Sequence, residues 1–185
     1  CALPIYTRFT ALTNKGVKVR VLVSKPEEKL TVFSITNAKM SSVDISKLAD
    51  TRSITLDNVG LSKFDFAPST ALKQLDLSRN NISDIDLSKY PKLEYLSMSD
   101  NKLTKLDLTK NKDLIVVSLS RNNLTEVKFR GLTALESLDL TANSMTTLDC
   151  KPLLNLGQLF VSNNKLTSIN VRNNAHLRAL NLVGN

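Results

Sequence analysis

The chain has 185 residues, enough for one ordinary domain, and its 42% hydrophobic and 23% charged content is globular rather than disordered. Its net charge is +8, but no run of five like charges occurs, so the lysines read as a dispersed solubilising surface and nucleic acid is excluded as a partner. Two cysteines, without C-x-x-C spacing, exclude both a disulfide framework and a zinc ribbon, and with aromatics at 5% and no Trp the core is expected to consist of Leu, Ile and Val.

Cys1 has two readings. It is the lipid-carrying cysteine left when a lipoprotein signal is cut, or an ordinary residue where the sequence happens to begin. The first residues carry no signal-peptide pattern, and no apolar run reaches the ~18–20 residues that span a bilayer. Membrane association is therefore expected only through a lipid on Cys1. Residues 1–29 fit no repeat. Partial alternation over Tyr6–Leu12, the turn cluster Thr13-Asn14-Lys15-Gly16 and alternating Val17, Val19, Val21 and Val23 predict a hairpin over about residues 5–23. A turn follows at Pro26–Lys29. Such a hairpin suits the polar-faced cap that a repeat array needs at its first coil.

From Leu30 the register never breaks. Repeats begin at Leu30, Thr51, Leu72, Leu93, Leu114, Leu135, Leu156 and Leu177, always 21 residues apart. With Leu72 as position one, apolar residues recur at positions one, four, six, eleven, fourteen and sixteen. A fixed period of this size predicts a solenoid of stacked coils spanning residues 30–185. Positions three to seven alternate polar and apolar, which predicts a short strand stacked in parallel on its neighbours about 4.8 Å away. Positions thirteen to sixteen (DIDL, KLDL, TLDC) alternate too and predict a second extended run across the coil. No segment has a helical period.

Position nine is Asn in six coils: Asn80, Asn101, Asn122, Asn143, Asn164 and Asn185. An inward Asn at a coil corner can satisfy backbone groups left unpaired where strand becomes turn, and stacked copies form a structural ladder. Position twelve is Ser or Thr wherever the sequence reaches it, another turn-satisfying choice. The unit L-x-x-L-x-L-x-x-N-x-L resembles the leucine-rich repeats. Its 21-residue length and the x-L-D-L second half resemble bacterial internalins, the internalin J-like subgroup in particular, with an N-terminal cap similar to those of Bacteroidota proteins. The resemblance implies a leucine-rich repeat solenoid, a right-handed curved superhelix with its parallel sheet on the concave side. It also implies a secreted or cell-surface location and a concave face that binds a host or partner protein. One departure is clear: internalin J-like repeats often carry Cys at position six, and this chain has none there.

Catalytic chemistry finds no foothold. No P-loop, G-x-G-x-x-G, G-x-S-x-G or H-E-x-x-H occurs, and the only histidine, His176, sits in a polar loop before the last repeat. Cys150 falls at inward position sixteen, where burial makes a thiol inert. Asp44, Asp65, Asp86, Asp107 and Asp149 recur at position fifteen. Calcium wants six to eight oxygens at one centre, so this column reads instead as turn acceptors or partners of Lys63, Lys105 and Arg130. No cofactor, metal or enzyme activity is expected.

Function is expected on the variable outward positions three, five, seven and eight. Tyr95, Val116 and Phe160 stand out as apolar residues on this polar face, and aromatics are enriched at interface hot spots. Gln74, Asp76, Ser118 and Gln158 flank them, and Arg79, Asp100 and Arg121 occupy position eight of consecutive coils as a charged rim. The favoured reading is a protein-binding module. The alternatives are binding of a glycan or other anionic polymer through the lysine-rich exterior, and a passive structural spacer. Leu177, Leu180 and Leu182 are expected to lie on an open edge, so the protein is expected to continue past Asn185 with further repeats or a cap.

Overall fold

The structure, a computed structural model, describes residues 17–20, 30–45, 48 and 50–185. It is a parallel β-solenoid. Eight strands, one per repeat, form its main sheet: β2 (Val32–Thr36), β4 (Ser53–Asp57), β5 (Gln74–Asp76), β6 (Tyr95–Ser97), β8 (Val116–Ser118), β10 (Ser137–Asp139), β11 (Gln158–Phe160) and β12 (Ala179–Asn181). They pair in parallel in the order β12-β11-β10-β8-β6-β5-β4-β2. Each pair is offset by one repeat, as in Leu75↔Leu96 and Leu96↔Val117. The alternation at positions three to five thus became the concave sheet.

The second run of each coil is extended, but only some copies pair as strands. β3 (Met40–Asp44) pairs with β1 (Val17–Arg20), and β7 (Lys105–Asp107) pairs with β9 (Glu126–Lys128). Asp149 and Asn170 form a single bridge. One 3-10 turn, Leu87–Lys89, is the only helical segment among the described residues. Of the expected hairpin, β1 lies in parallel beside the first coil's second run, while residues 5–16 and 21–29 fall outside the described residues.

The inward positions fill the space between the two runs. Leu72, Leu75, Leu77 and Ile82 are fully buried, as are their equivalents Leu93, Leu96, Met98 and Leu103. Thr51 replaces Leu at position one without an orphaned hydroxyl, because its Oγ1 donates to Leu30 O at 2.8 Å. Rings contribute more than the composition implied. Phe64, Phe66 and Tyr90 form a cluster with centroids 5.9–6.1 Å apart, and the Tyr90 hydroxyl donates to Phe66 O at 2.9 Å. A further inward column, position nineteen, also emerges: Leu48, Ser69, Tyr90, Asn111, Leu132, Leu153 and Asn174 are all buried.

Two features turn the chain at the end of each concave strand. Position eight is left-handed in every coil: Asn37, Asn58, Arg79, Asp100, Arg121, Ala142 and Asn163 have φ of 53–56°, and Gly184 has φ of 75°. The Asn at position nine then points inward. Asn122 Nδ2 donates to Leu119 O in its own coil and to Met98 O in the coil before, at 3.1 and 2.9 Å. Its Oδ1 accepts from Leu103 N at 3.0 Å. Asn101, Asn143, Asn164 and Asn185 repeat this pattern, and Asn80 serves both Val59 N and Leu61 N. In the first two coils Ala38 and Val59 hold position nine as buried apolar residues.

Asn122→Ala leaves the Leu103 N–H and two coil carbonyls buried without this partner. It is expected to destabilise by about 2–3 kcal/mol, read as a lower denaturant midpoint. Ala142→Asn, which places a residue tolerant of positive φ at a left-handed corner, is expected to stabilise by about 0.5–1 kcal/mol in the same experiment.

Candidate functional site on the concave sheet

Because the register never slips, outward residues stand in straight rows. Position three runs Val32, Ser53, Gln74, Tyr95, Val116, Ser137, Gln158, Ala179. Position five runs Ser34, Thr55, Asp76, Ser97, Ser118, Asp139, Phe160, Asn181. The structure brings Tyr95 and Val116 together as direct cross-strand partners. Ile115, adjacent to Val116, adds a side chain that sequence reading passed over. Tyr95 and Ile115 are 38% and 37% exposed and Val116 is half-buried, which makes an apolar patch in mid-sheet, whereas Val32, at 61%, is isolated at the first coil. Most other occupants of position two are surface charges (Arg52, Lys73, Glu94, Glu136, Arg178), so no apolar recurrence along the sequence marks Ile115.

Phe160 is not part of that patch. It is half-buried on the other row, between Asp139 and Asn181, three strand spacings (about 14 Å) from Tyr95. Gln74 lies beside Tyr95, while Gln158 and Ser137 continue its row. Asp76 and Asp139 are held locally, each accepting from the backbone N–H two residues on, at 2.9 Å.

The charged rim is two separate pairs rather than one line. Arg79 grips Asp57 with both Nε and a terminal nitrogen, and Arg121 grips Asp100 through Nε at 2.5 Å and Nη2 at 2.6 Å. The Arg121 hydrogen bond holds the Asp100 carboxyl below the usual carboxylate range. Lys73 and Glu94 form another pair at 2.6 Å beside the patch. Position seven was expected to face outward; Thr36 and Val183 at the two ends are exposed, and the structure corrects the expectation in coils between them. Ser99, Ser120 and Ser162 are buried, because hydroxyls pair across strands: Ser99 with Ser118 at 2.9 Å and with Ser120 at 3.0 Å, Ser162 with Thr141 at 3.4 Å. Ser118 is therefore engaged with the scaffold as well as lying on the face.

Beside the patch a shallow groove opens between Val116 and Gln158, walled by Glu136, Asn155, His176 and Arg178. Gly157 makes it. Its neighbours in the position-two row, Glu136 and Arg178, stand on either side of a residue with no side chain. A Cβ there would meet only ordinary contacts at 3.6 Å, so the notch is a matter of sequence and not of backbone strain.

The remaining candidates resolve as local structure. His176 is exposed in its loop. Asp86 and Asp107 accept from the N–H and hydroxyl of Ser88 and Thr109, which lowers both carboxyl pKa values. Asp65 meets Lys89 at 3.8 Å rather than Lys63, and Lys105 pairs with Glu126 at 3.6 Å. Among the described residues no three His, Cys, Asp or Glu side chains converge on a metal position. No helix among the described residues is long and apolar enough to cross a membrane.

Comparison with known proteins agrees with this geometry. Residues 70–110 match the family model for leucine-rich repeats in two copies. The functional domain of InlJ from Listeria monocytogenes superposes with a TM-score of 0.80 and 27% identity over 83% of the chain. The fold is a leucine-rich repeat solenoid similar to that of the InlJ domain. A second structure, the TLR13–ssRNA13 complex, matches with a TM-score of 0.62 and 27% identity over 78% of the chain. The chain spans 34% of the length of the InlJ structure and 24% of TLR13. Sequence comparison with curated proteins gives no match. The leucine-rich repeat fold is typical of interaction modules, a non-catalytic binding scaffold. The InlJ domain is described as including a cysteine ladder. In this leucine-rich repeat the corresponding inward column at position six is Ile35, Leu56, Leu77, Met98, Leu119, Leu140, Val161 and Leu182.

Cys150 is instead a single core residue at position sixteen. Burial, with Asp149 adding to it, pushes its thiol up to about 11, and burial pushes the Tyr90 hydroxyl up to about 12. Both groups fold in their neutral forms. Their contribution is therefore intact below the unfolded-state pKa values and lost as pH rises through the folded ones. Stability is expected to be flat near pH 8 and to fall by about 2 kcal/mol per group on the way to strongly alkaline pH. Denaturant titrations along a pH series should show this, and Cys150→Val should remove the lower-pH limb of the fall while leaving the tyrosine limb.

Proposed function

We propose that this solenoid is the protein-binding module of a bacterial secreted or cell-surface protein, and that its partner seats on the concave sheet around Tyr95, Ile115 and Val116. The observation that carries the reading is the patch itself. In the middle of the sheet, two exposed apolar side chains, Tyr95 and Ile115, flank the half-buried Val116, while the row's other large apolar residue, Val32, stands apart at the first coil. Ion pairs at Lys73–Glu94 and Arg121–Asp100 border them. That is the anatomy of an interface centre with a polar rim. The extracellular setting is supported by likeness to the Listeria domain, and the protein-binding role by the repeat family.

Gln74, Asp76, Ser118 and Gln158 extend the contact surface on both sides of the patch. Arg79, Asp100 and Arg121 form its charged border. Phe160 marks a second contact point further along the sheet, reached by a partner that lies along the solenoid axis. The Gly157 notch offers that partner a recess for one projecting side chain.

With a surface partner captured by the chain and its affinity measured, Tyr95→Ala and Val116→Ser are each expected to weaken binding about thirtyfold, the loss of a hot spot of about 2 kcal/mol. Gly157→Leu is expected to weaken it by filling the notch. Far-UV circular dichroism should stay unchanged in all three. Undiminished affinity in the Tyr95 and Val116 variants would remove the concave patch from consideration.

A further inference from the structure

The convex side carries a second surface that the concave reading does not use. Neighbouring coils in this molecule usually set opposite charges against one another. Residues 21 apart pair as Lys73–Glu94 at 2.6 Å, Lys92–Asp113 at 3.0 Å, Lys105–Glu126 at 3.6 Å and Arg121–Asp100 at 2.5 Å. Position seventeen breaks that habit. Three consecutive coils place Arg130, Lys151 and Arg172 there, all exposed. None forms an ion pair among the described residues. Like charges set side by side on successive coils repel one another and destabilise a folded chain.

The aspartates at position fifteen also share a sign, but they have partners. Asp86 and Asp107 accept turn hydrogen bonds, Asp65 meets Lys89, and Asp107 faces Lys128 across a strand pair. The position-seventeen cations have no such local work. Arg130, Lys151 and Lys128 instead rim one shallow groove over Val127, Phe129 and Pro152. Asp149 is the single carboxylate on its wall, and its Oδ1 is occupied by the Lys151 N–H at 3.0 Å.

We infer that the row Arg130–Lys151–Arg172, with its groove, binds a linear acidic polysaccharide that carries one carboxylate or sulfate per sugar. The arrangement selects the ligand class. The cations do not converge on a point, so a compact anion would meet one of them at a time. They stand in line along the solenoid axis, one per coil, so a chain with an anion on every unit meets all three. Single-stranded nucleic acid is ordinarily held on exposed aromatic platforms. The one ring in this groove, Phe129, is buried. A membrane surface calls on broader clusters of basic residues than a single row. The partly exposed ring of Pro152 on the groove floor suits the non-polar face of a sugar ring. This site lies across the coil from the concave patch and does not depend on it.

The test uses polygalacturonate as the probe and its fully methyl-esterified form as the neutral control on the same backbone. The chain is expected to bind the acid form and not the ester, with affinity falling steeply with salt. The triple variant R130Q/K151Q/R172Q is expected to lose at least tenfold in affinity, and its log-affinity against log-salt slope should shrink by about 2. Its melting temperature should be equal to or above that of the parent, since like-charge contacts are gone. R130K/R172K should retain binding, and Tyr95→Ala should leave it untouched. Equal binding of the esterified polymer, an unchanged affinity in the triple variant, or tighter binding of single-stranded DNA than of polygalacturonate would each overturn the assignment.

Discussion

A coil of backbone that turns inside a packed stack must satisfy its own carbonyls and N–H groups without water, and in six of the eight coils one amide side chain does it. The asparagine at position nine spans two coils. It bonds the carbonyl at position six of its own coil and of the coil before, and it accepts the N–H at position eleven of that earlier coil, as Asn101 does with Met98, Leu77 and Ile82. Failing to pair such buried groups costs about 1–3 kcal/mol each. The left-handed residue immediately before it swings the chain so that the amide can point inward. Everything else rests on this corner. It sets the rise from coil to coil, which sets the sheet register, which sets the outward rows.

The scaffold was largely readable because most of its rules repeat at one spacing. Leucine columns and the Asn column announced themselves by recurrence. Position nineteen did not, although it is as buried as any. Its occupants are Leu, Ser, Tyr and Asn, because the site sits beside carbonyls at positions sixteen and nineteen of the neighbouring coil and can be filled in two ways. A Leu fills the volume. Asn111 and Asn174 instead donate to those carbonyls, at 2.6–3.0 Å. A column with two physical solutions has no single-residue signature. The left-handed corner left a weak trace, since Asn, Asp and Gly hold five of its eight places. Arg79, Arg121 and Ala142 masked it.

The site was readable in outline and not in its contacts. Period-two alternation told which side chains face out, so Tyr95 and Val116 were found. It could not say that Arg79 reaches back 22 residues to Asp57 rather than forward to Asp100. Nor could it say that serines at position seven would be closed over by neighbouring hydroxyls. Both outcomes depend on side-chain length and rotamer across coils, which no pattern along the chain encodes. The Gly157 groove was missed for a related reason: it is a gap in a row, visible only once the rows stand side by side. Placed together, the two faces of the solenoid differ in kind. One presents apolar side chains between ion pairs, the other a line of cations, and the packed core keeps the two apart.

The corner asparagines have a further consequence, for how such a molecule changes over generations. Their bonds join residues separated by the same few intervals: 24, 3 and 2 for the donated bonds and 19 for the accepted one, with a second accepted bond at 21 for Asn80. A duplication or loss of one whole unit would recreate each of those intervals at the new junction. A gain or loss of a single residue would break them in two coils at once. The ladder therefore makes array length a quantity that can change in whole steps, while the outward rows drift residue by residue. A lineage carrying this scaffold could lengthen its binding face without redesigning its core.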